Sequence, residues 1–562
     1  MTKHLLFFVA LIILPSFGFG QLTFDWAFQT GSSKSDLVGP GMKDSEGNLY
    51  VLGIYRDTTD LDPGMEEVLA FPFSANFIAL SAYSSDGEYL NSAIFNAGEN
   101  SGGGLLEIKD DKIKLILYFT DSLVYYREGE STLIDDTDGQ QVCFLTLDTD
   151  GQILDHFIFP YLHPIYVSKL HTFQDGSQIV AGGFVDTFAF DPGSGSHTVI
   201  SNGEYDVFVA KLSSSHEVQW INSYGSSGDD YIEDIFPNQD QVYFAIIHED
   251  TLSISVNGEL MGFPSNGDDN NVFGSMDMSG TIQSAFRFGG DLGDQIRNIV
   301  ADNDGYMYIS GYFEGAVNFQ HPSGTPEIYV SDNDTDGFVS KYDSDGNLLW
   351  TRIFTCSGYG GIYTMSLARG NELYLSGSFT GSADLDPGPD SIVFDGGARG
   401  YICAVKLTTE GELKWAYYFP GNDFAGIRSV VLGAQNRVFI QGYLFDSLDC
   451  NPAEEEAILA SYGGSDIFVI GLSEENIISG TTDLFASSLL VYPNPSSDEW
   501  HVKCDHPIQQ VAVYRMDGTR LPLQVKNSTQ ECVINLDGLA PGVYVVQTLA
   551  NGHWGTAKVI KQ

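Results

Sequence analysis

The sequence predicts an all-β protein: a seven-bladed β-propeller closed by an N-terminal strand, followed by a small C-terminal β-sandwich. Three observations lead to this prediction. A unit of about 65 residues recurs along most of the chain. Its segments alternate apolar and polar residues between Gly, Asp and Asn, which is typical of strands and turns. The two ends of the array each hold part of one repeat.

The repeat is clearest in a strand, a tight turn and a second strand that ends near a tryptophan. Three copies are DVFVAKLSSSHEVQWINSY from Asp206, DGFVSKYDSDGNLLWTRIF from Asp336 and YICAVKLTTEGELKWAYYF from Tyr401. The tryptophan column recurs every 64 to 66 residues, at Trp26, Asn91, Asp155, Trp220, Ser284, Trp350 and Trp415. Seven units of about four strands each follow from this spacing.

The ends of the array favour a closed propeller over an open solenoid. Residues 22–31 contain only a fourth strand, whereas the last copy, from Asp466, stops after its third strand. Together they complete one blade, which removes the open sheet edges. A solenoid would need capping units, and the sequence has none.

The two termini of the chain differ from the array. Residues 1–20 are predicted to be a signal peptide, with Lys3 before an apolar run at 5–14 and a mature start at Gln21. No later stretch is long and apolar enough for a transmembrane segment. We expect the propeller to span 21–475, a linker 476–488, and a domain of about six short strands 489–562.

The charge of the chain excludes one class of partner. A net charge of −49, from 75 acidic and 26 basic residues, repels phosphate backbones, so no nucleic acid partner is expected. Solubility accounts for this excess more simply than a set of calcium sites does. The cysteines show no CxxC spacing, and a Cys504–Cys532 bridge is left open.

Acidic loops are the candidate metal sites. Calcium, the one candidate cofactor, would bind through Asp60, Asp62, Asp191, Asp384 and Asp386 in the loops after second strands. A second set, Asp36, Asp230 and Asp294, lies five residues after a glycine, in loops predicted on the same face. Turn chemistry is the favoured explanation of the Asp-Pro-Gly loops, because Asp hydrogen-bonds its own backbone two residues on.

No catalytic residues are assigned. HExxH, GxSxG and P-loop motifs are absent, and the histidines do not recur at one blade position. A carboxylate pair for glycoside hydrolysis is left open. Trp220, Trp350 and Trp415 are interpreted as packing between blades rather than as sugar-stacking platforms.

Residues 22–475 resemble the SBBP-like β-propeller repeats of secreted Bacteroidetes proteins. The resemblance lies in segments such as GGFVDTFAFDPGSGSHTVISNGEYDVFVAKLSSSHEVQWINSYG and GSFTGSADLDPGPDSIVFDGGARGYICAVKLTTEGELKWAYYFPG. It implies a fold and no activity. Blades two and four depart from the pattern, with VYYREGE near Tyr125 and ISVNGEL near Ile254 in place of the Asp-Pro-Gly loop.

Residues 489–562 resemble the type A sorting domain of the type IX secretion system. The matching segments are LLVYPNPSSDEW, VAVYRMDGTRL, INLDGLAPGVYVVQTLANG and the closing KVIKQ. The positions that match the family are Pro493, Asn494, Pro495, Asp517, Gly518, Gly542, Tyr544, Lys558 and Lys561. The resemblance implies passage across the outer membrane by that machinery, and release or attachment at the cell surface.

The sequence therefore predicts an exported, non-enzymatic protein, secreted or attached to the outer surface, that acts as a binding or adhesion module. Its expected partners are the type IX machinery, through the tail, and a glycan or another surface protein, through the propeller loops. Two alternatives stay open: a secreted polysaccharide hydrolase or lyase built on the propeller, and a structural surface component.

Overall fold

The computed structural model describes residues 22–561 apart from short gaps. The gaps are 73–75, 98–101, 128, 137, 161–164, 191–196, 239, 266–269, 320–325, 332–333, 369–370, 397–399, 435, 453–456, 475–489, 493–495, 497–498, 504–507, 516–519, 522–524, 528–530, 537–538, 541 and 551–552. The described residues form strands and turns without a helix, which confirms the all-β class. Accordingly, they include no helix that could span a membrane. The chain divides into two compact units between residues 475 and 476.

The larger unit is built from short strands in a repeating order. The first third comprises β1 (Leu22–Thr30), β2 (Leu37–Lys43), β3 (Leu49–Tyr55), β4 (Thr59–Asp60), β5 (Leu69–Ala70), β6 (Phe77–Tyr83), β7 (Tyr89–Asn96), β8 (Gly102–Lys109), β9 (Lys112–Thr120), β10 (Leu123–Arg127), β11 (Glu130–Asp135), β12 (Gln140–Asp148) and β13 (Ile153–Pro160). The middle third comprises β14 (Ile165–Thr172), β15 (Gln178–Phe184), β16 (Thr187–Ala189), β17 (Thr198–Ile200), β18 (Asp206–Leu212), β19 (Val218–Tyr224), β20 (Asp230–Asn238), β21 (Gln241–His248), β22 (Leu252–Val256), β23 (Glu259–Phe263), β24 (Asn270–Asp277) and β25 (Ile282–Phe288). The last third comprises β26 (Gln295–Ala301), β27 (Met307–Phe313), β28 (Ala316–Asn318), β29 (Ile328–Val330), β30 (Asp336–Tyr342), β31 (Leu348–Phe354), β32 (Gly360–Ala368), β33 (Glu372–Phe379), β34 (Ser382–Asp384), β35 (Val393–Asp395), β36 (Tyr401–Thr408), β37 (Leu413–Pro420), β38 (Ala425–Leu432), β39 (Arg437–Leu444), β40 (Ser447–Asp449), β41 (Ile458–Ala460) and β42 (Asp466–Glu474).

These strands form seven antiparallel sheets, numbered here by chain order of their first strands. Their four main strands are β2-β3-β6-β7, β8-β9-β12-β13, β14-β15-β18-β19, β20-β21-β24-β25, β26-β27-β30-β31, β32-β33-β36-β37 and β38-β39-β42-β1. The first strands lie beside one another in the order β2, β8, β14, β20, β26, β32 and β38, and β38 lies beside β2. The N-terminal strand β1 is the fourth strand of sheet 7, antiparallel to β42.

Short hairpins follow the second strand of each sheet. In five sheets the hairpin is a separate two-stranded ribbon. In sheet 2 it is β10–β11, which pairs with β7 of sheet 1. In sheet 4 it is β22–β23, which joins its own outer strand through one parallel bridge, Val256 to Ile282. In these two sheets the sequence has VYYREGE and ISVNGEL in place of an Asp-Pro-Gly loop, and the hairpin pairs with a main strand.

The middle strands of the sheets are buried on both faces. All seven residues of β3 and of β6 are buried, because neighbouring sheets cover them on either side. The tryptophan column connects consecutive sheets. Each indole Nε1–H donates to the next sheet along: Trp26 to the carbonyl oxygen of Ser85 (3.3 Å), Trp220 to that of Met278 (3.1 Å), Trp350 to that of Thr409 (3.2 Å), and Trp415 to Glu474 Oε1 (2.8 Å).

Every first strand contains a β-bulge at the same place. The register shifts lie between Val38 and Gly41, Gly103 and Leu105, Val167 and Lys169, Ile232 and Asp234, Ile296 and Asn298, Ile362 and Thr364, and Ile427 and Ser429. A bulge leaves one residue unpaired and turns its side chain in a new direction. The strand beside it often has glycine there: a Cβ at Gly182 or Gly311 would lie 1.8 Å from the carbonyl oxygen of Tyr166 or Gln295.

The smaller unit contains two four-stranded sheets. They comprise β43 (Leu490–Tyr492), β44 (Glu499–Lys503), β45 (Ile508–Arg515), β46 (Arg520–Leu521), β47 (Val525–Asn527), β48 (Glu531–Asn535), β49 (Gly542–Ala550) and β50 (His553–Lys561). The sheet orders are β43-β44-β48-β47 and β46-β45-β49-β50. Trp500 and Ile534 of one sheet share a buried core with Val513 and Val546 of the other. Eight strands are present where the sequence suggests about six.

We expect Gly311→Ala to destabilise the larger unit by about 1–3 kcal/mol, because the new methyl group has no space beside the bulge. Gly262→Ala is the matched control, since a Cβ there would meet nothing within 4 Å, and we expect a change within about 0.5 kcal/mol. Urea unfolding of both variants measures the difference. Equal stability of the two variants would show that the bulge does not need glycine beside it.

Candidate functional site

The unpaired residues of the seven bulges are of six types, with arginine occurring twice. The bulge residues are Pro40, Gly104, Ser168, Glu233, Arg297, Tyr363 and Arg428, spaced 64 to 66 residues apart. The residues before them are mostly Val or Ile, which repeat because they pack in the core. The scaffold is therefore repeated around the first strands, whereas the side chains added by the bulges are specific to each sheet.

A cavity of about 720 Å³ lies among these strands. Its lining comes from six of the seven first strands, β2, β14, β20, β26, β32 and β38. Cavities of about 300–1,000 Å³ are the usual size of small-molecule sites. Bulge residues from four consecutive sheets, Glu233, Arg297, Tyr363 and Arg428, are in the lining. The sequence does not reveal this site, because a one-residue insertion in a strand leaves no periodic signal.

The charges in the cavity are arranged in pairs between sheets, with one exception. Lys169 Nζ lies 3.1 Å from Asp234 Oδ1, and Arg297 Nη1 lies 3.1 Å from Glu233 Oε2. Each pair joins adjacent first strands. The side chain of Arg428 is exposed and has no carboxylate within 4 Å among the described residues. Its guanidinium lies over the Tyr443 ring, with Cζ 5.9 Å from the ring centre.

The cavity lining also contains polar atoms with unused hydrogen-bonding capacity. Asn298 Oδ1 and Thr364 Oγ1 are buried and have no hydrogen-bond partner among the described residues. A buried polar atom without a partner costs about 1–3 kcal/mol, so such atoms are rare unless something else binds them. Both residues line the cavity, but the two atoms themselves are buried inside its wall.

Aromatic rings flank the two arginines. Tyr363 lies under Arg297, whose Cζ is 6.0 Å from the ring centre, and Tyr443 lies under Arg428. Phe424 packs against Tyr443 with ring centres 6.1 Å apart. The wall formed by β26, β32 and β38 thus combines cations, flat rings and hydrogen-bonding groups.

The acidic residues Asp36, Asp230 and Asp294 do not line this cavity. All three are buried at junctions between sheets. Each accepts a backbone N–H from the residue four positions earlier, Ser32 (2.5 Å), Ser226 (2.6 Å) or Gly290 (2.6 Å). The backbone N–H of Asp36 and that of Asp230 donate to the preceding sheet, at the carbonyl oxygens of Ser465 and Tyr205, each 2.7 Å away.

A second set of buried aspartates begins the third strands of sheets 3 and 7. Asp206 Oδ2 accepts the N–H of Asn202 (2.9 Å), and Asp466 Oδ2 accepts that of Tyr462 (2.5 Å). Burial raises the pKa of both Asp230 and Asp466 to about 7, and the neighbouring Asp206 or Asp36 adds to the shift. The sequence predicts Asp36, Asp230 and Asp294 as loop acids on one face; all three are instead buried at contacts between sheets.

The candidate calcium residues form turns. Asp60 Oδ1 accepts the N–H of Asp62 (3.1 Å), and Asp384 Oδ1 accepts that of Asp386 (3.1 Å). Asp62 and Asp386 each accept the N–H of the glycine two residues on, both at 2.8 Å. Asp191 lies outside the described residues. Within the described ranges, no three His, Cys, Asp or Glu side chains are grouped to hold a metal ion. Calcium binding by these loops stays a prediction.

Four of the nine sorting positions lie in strands of the smaller unit. Gly542 and Tyr544 are in β49, and Lys558 and Lys561 are in β50. The Tyr544 hydroxyl donates to the carbonyl oxygen of Ala540 (2.7 Å), and Lys561 Nζ to that of Leu536 (2.5 Å). The other five positions, Pro493, Asn494, Pro495, Asp517 and Gly518, fall outside the described residues, as does Cys504 of the bridge left open above.

Comparison with known proteins identifies the smaller unit. Residues 490–562 match the family described as the secretion system C-terminal sorting domain. No curated protein matches the chain. Similar solved structures include a member of the DUF4221 family from Bacteroides vulgatus ATCC 8482, with 8% identity, covering 81% of this chain and 99% of that one, TM-score 0.28. Another is Drosophila Semaphorin 2a, with 9% identity, covering 95% and 97%, TM-score 0.27.

The sorting domain has a direct consequence for the destination of the chain. It supports export by the type IX secretion system and location at the outer surface or outside the cell. It also implies interaction with that machinery. The two structural likenesses have TM-scores too low to support an argument about the larger unit.

The pH dependence of stability tests the buried aspartates. With a pKa of about 7 when folded and the usual 3.8 when unfolded, Asp230 adds stability that is fully present below about pH 4 and is lost as the pH rises through 7. We therefore expect the unfolding free energy to fall between pH 5 and pH 8, and to fall less in Asp230→Asn. Asp304→Asn, at an exposed turn, is the control. An equal fall in all three proteins would mean that Asp230 is ionised throughout.

The calcium prediction is tested by thermal unfolding with calcium and with a chelator. We expect the same midpoint in both, because the candidate carboxylates already accept backbone N–H groups within their own turns. A ligand that binds only the folded state must raise the midpoint. A rise with calcium that Asp60→Asn or Asp384→Asn abolishes would show that these loops are calcium sites.

Proposed function

We propose that the protein is an exported binding protein whose larger unit is a seven-bladed β-propeller, holding a small ligand in the cavity among its first strands. Seven sheets of the same strand order, the return from β38 to β2, and the pairing of β1 with β42 support the propeller. We further propose a signal peptide at 1–20, a linker at 476–488, and removal or surface attachment of the tail after export.

The observation that supports ligand binding most strongly is the set of different side chains at equivalent bulges. If the first strands served only to pack the fold, the seven bulges would be free to hold the same residue. Instead Glu233, Arg297, Tyr363 and Arg428 follow one another around the cavity. A repeated scaffold with side chains specific to each sheet is a common way to build a recognition site.

Binding fits the cavity better than hydrolysis of a polysaccharide. Glu233 and Asp234 are the two carboxylates in the described lining, and each already forms an ion pair with a cation. A glycosidase needs one carboxyl that is free to donate a proton to the leaving oxygen. The chemistry of this lining is that of a site which holds a polar molecule.

The proposal is tested with Thr364→Val, which removes a buried hydroxyl that has no partner. Because that hydroxyl stabilises nothing in the free protein, we expect the unfolding free energy to stay equal or rise. Thr30→Val is the matched control: its hydroxyl lies 2.9 Å from that of Tyr55, and we expect a loss of about 1 kcal/mol.

Both variants and the unchanged protein are then screened by thermal shift against a library of soluble saccharides and metabolites. We expect at least one compound to raise the midpoint of the unchanged protein and of Thr30→Val, and to raise that of Thr364→Val less. Compounds that stabilise all three proteins equally, or a library without effect, would contradict a ligand site in this cavity.

A further inference from the structure

The lining of the cavity has a net positive charge, whereas the chain as a whole is strongly negative. The whole sequence has 75 acidic and 26 basic residues. The described lining of the cavity has three cations, Lys169, Arg297 and Arg428, and two acids, Glu233 and Asp234. In a protein with a net charge of −49, a small anion therefore meets a net positive charge in the described lining of this cavity.

We propose that the ligand of this cavity is an acidic saccharide whose carboxylate binds Arg428. This inference rests on the proposed function, because it names the chemistry of the molecule that the cavity holds. The guanidinium of Arg428 has no carboxylate within 4 Å among the described residues, unlike Lys169 and Arg297. Arginine binds a carboxylate through two parallel N–H···O bonds, and such charge-assisted bonds are strong in a partly enclosed site.

The saccharide part of the inference follows from what surrounds the arginine. Tyr363 and Tyr443 line the cavity and are only partly buried, and each has one ring face next to an arginine. An aromatic ring packs well against the C–H face of a pyranose, and sugar hydroxyls both donate and accept hydrogen bonds. A simple inorganic anion would make no use of the rings.

The geometry also explains why two of the three cations are paired. Glu233 and Asp234 hold Arg297 and Lys169 between adjacent first strands. Asp234 Oδ2 in addition accepts the backbone N–H of Ile299 on β26 at 3.0 Å. These contacts fix the wall of the cavity, and Arg428 on β38 is left for the ligand.

The experiment is isothermal titration of the purified protein with three probes. They are digalacturonate, its dimethyl ester, which has the same rings without the charges, and citrate, which has carboxylates without a sugar ring. We expect digalacturonate to bind, and the other two to bind at least tenfold more weakly. Added salt should weaken the binding of digalacturonate, because the contact is an ion pair.

Substitutions at Arg428 assign the binding to this residue. We expect Arg428→Gln to raise the Kd for digalacturonate about tenfold or more, the usual effect of losing a hydrogen bond between charged groups. Arg428→Lys should retain part of the affinity. Lys414→Gln is the matched control: it makes the same change of charge at an exposed position on β37, outside the cavity, and should have no effect.

Each of the other outcomes contradicts one part of this inference. Equal binding of the ester overturns the role of the carboxylate, and equal binding of citrate overturns the saccharide. Binding that Arg428→Gln leaves unchanged overturns the assignment to this arginine. If none of the probes binds while the library screen with Thr364→Val finds a cavity ligand, this inference fails and the proposed function stands; if that screen also fails, both fail.

Discussion

The pairing of β1 with β42 is the interaction on which the larger unit depends. It joins residues at opposite ends of the array, Leu22 with Glu474 and Thr30 with Ile467, and supplies sheet 7 with its fourth strand. Without β1, the outer edge of β42 would expose a row of unpaired backbone groups. The tryptophan of β1, Trp26, would also be missing from the contact with Ser85 in sheet 1.

The contacts between sheet 7 and sheet 1 are of the same kind as those inside the array. The backbone N–H of Asp36 reaches the carbonyl oxygen of Ser465 just as that of Asp230 reaches Tyr205, both at 2.7 Å. Glycine makes room at both junctions: a Cβ at Gly31 would lie 2.2 Å from Asp466 Oδ1, and one at Gly225 would lie 2.0 Å from Asp206 Cγ. The junction of the two ends is thus built like any other, which explains why the sequence needs no capping unit.

The sequence predicts the repeated parts of this structure well, because repetition is what pattern analysis detects. The tryptophan column, the Asp-Gly turns, with Gly87 and Gly346 at positive φ, and the half-repeat at 22–31 all appear at fixed spacing. The acids at 36 and 230 are also periodic, but each is buried with its carboxylate accepting the amide N–H four residues earlier, a contact that the spacing alone does not reveal. The small residues of GSSKSD and GSSGDD were the available signal for that burial.

Pattern analysis of the sequence does not detect the candidate site, and the reason is physical. A bulge adds one residue to a strand, so its position is visible only when the strand is paired with its neighbour. The seven bulge residues share a spacing, but apart from Arg297 and Arg428 they differ in chemistry, and a search for similar repeats overlooks such a position. In the sequence, a bulge position is recognised by its variation between repeats, while the residue before it, such as Ile296 or Ile427, stays apolar. The one local sequence feature that accompanies the bulge is a glycine in the second strand beside it, such as Gly182 or Gly311.

The site and the stability of the fold are connected through the atoms that the free protein leaves without partners. Asn298 Oδ1 and Thr364 Oγ1 are buried in the wall of a cavity that is held by ion pairs between sheets, so the wall does not collapse to satisfy them. A ring of packed sheets can bear that cost, because each sheet is supported on both faces by its neighbours. The repeated scaffold therefore does more than position the bulge residues: it also keeps the cavity among the first strands open.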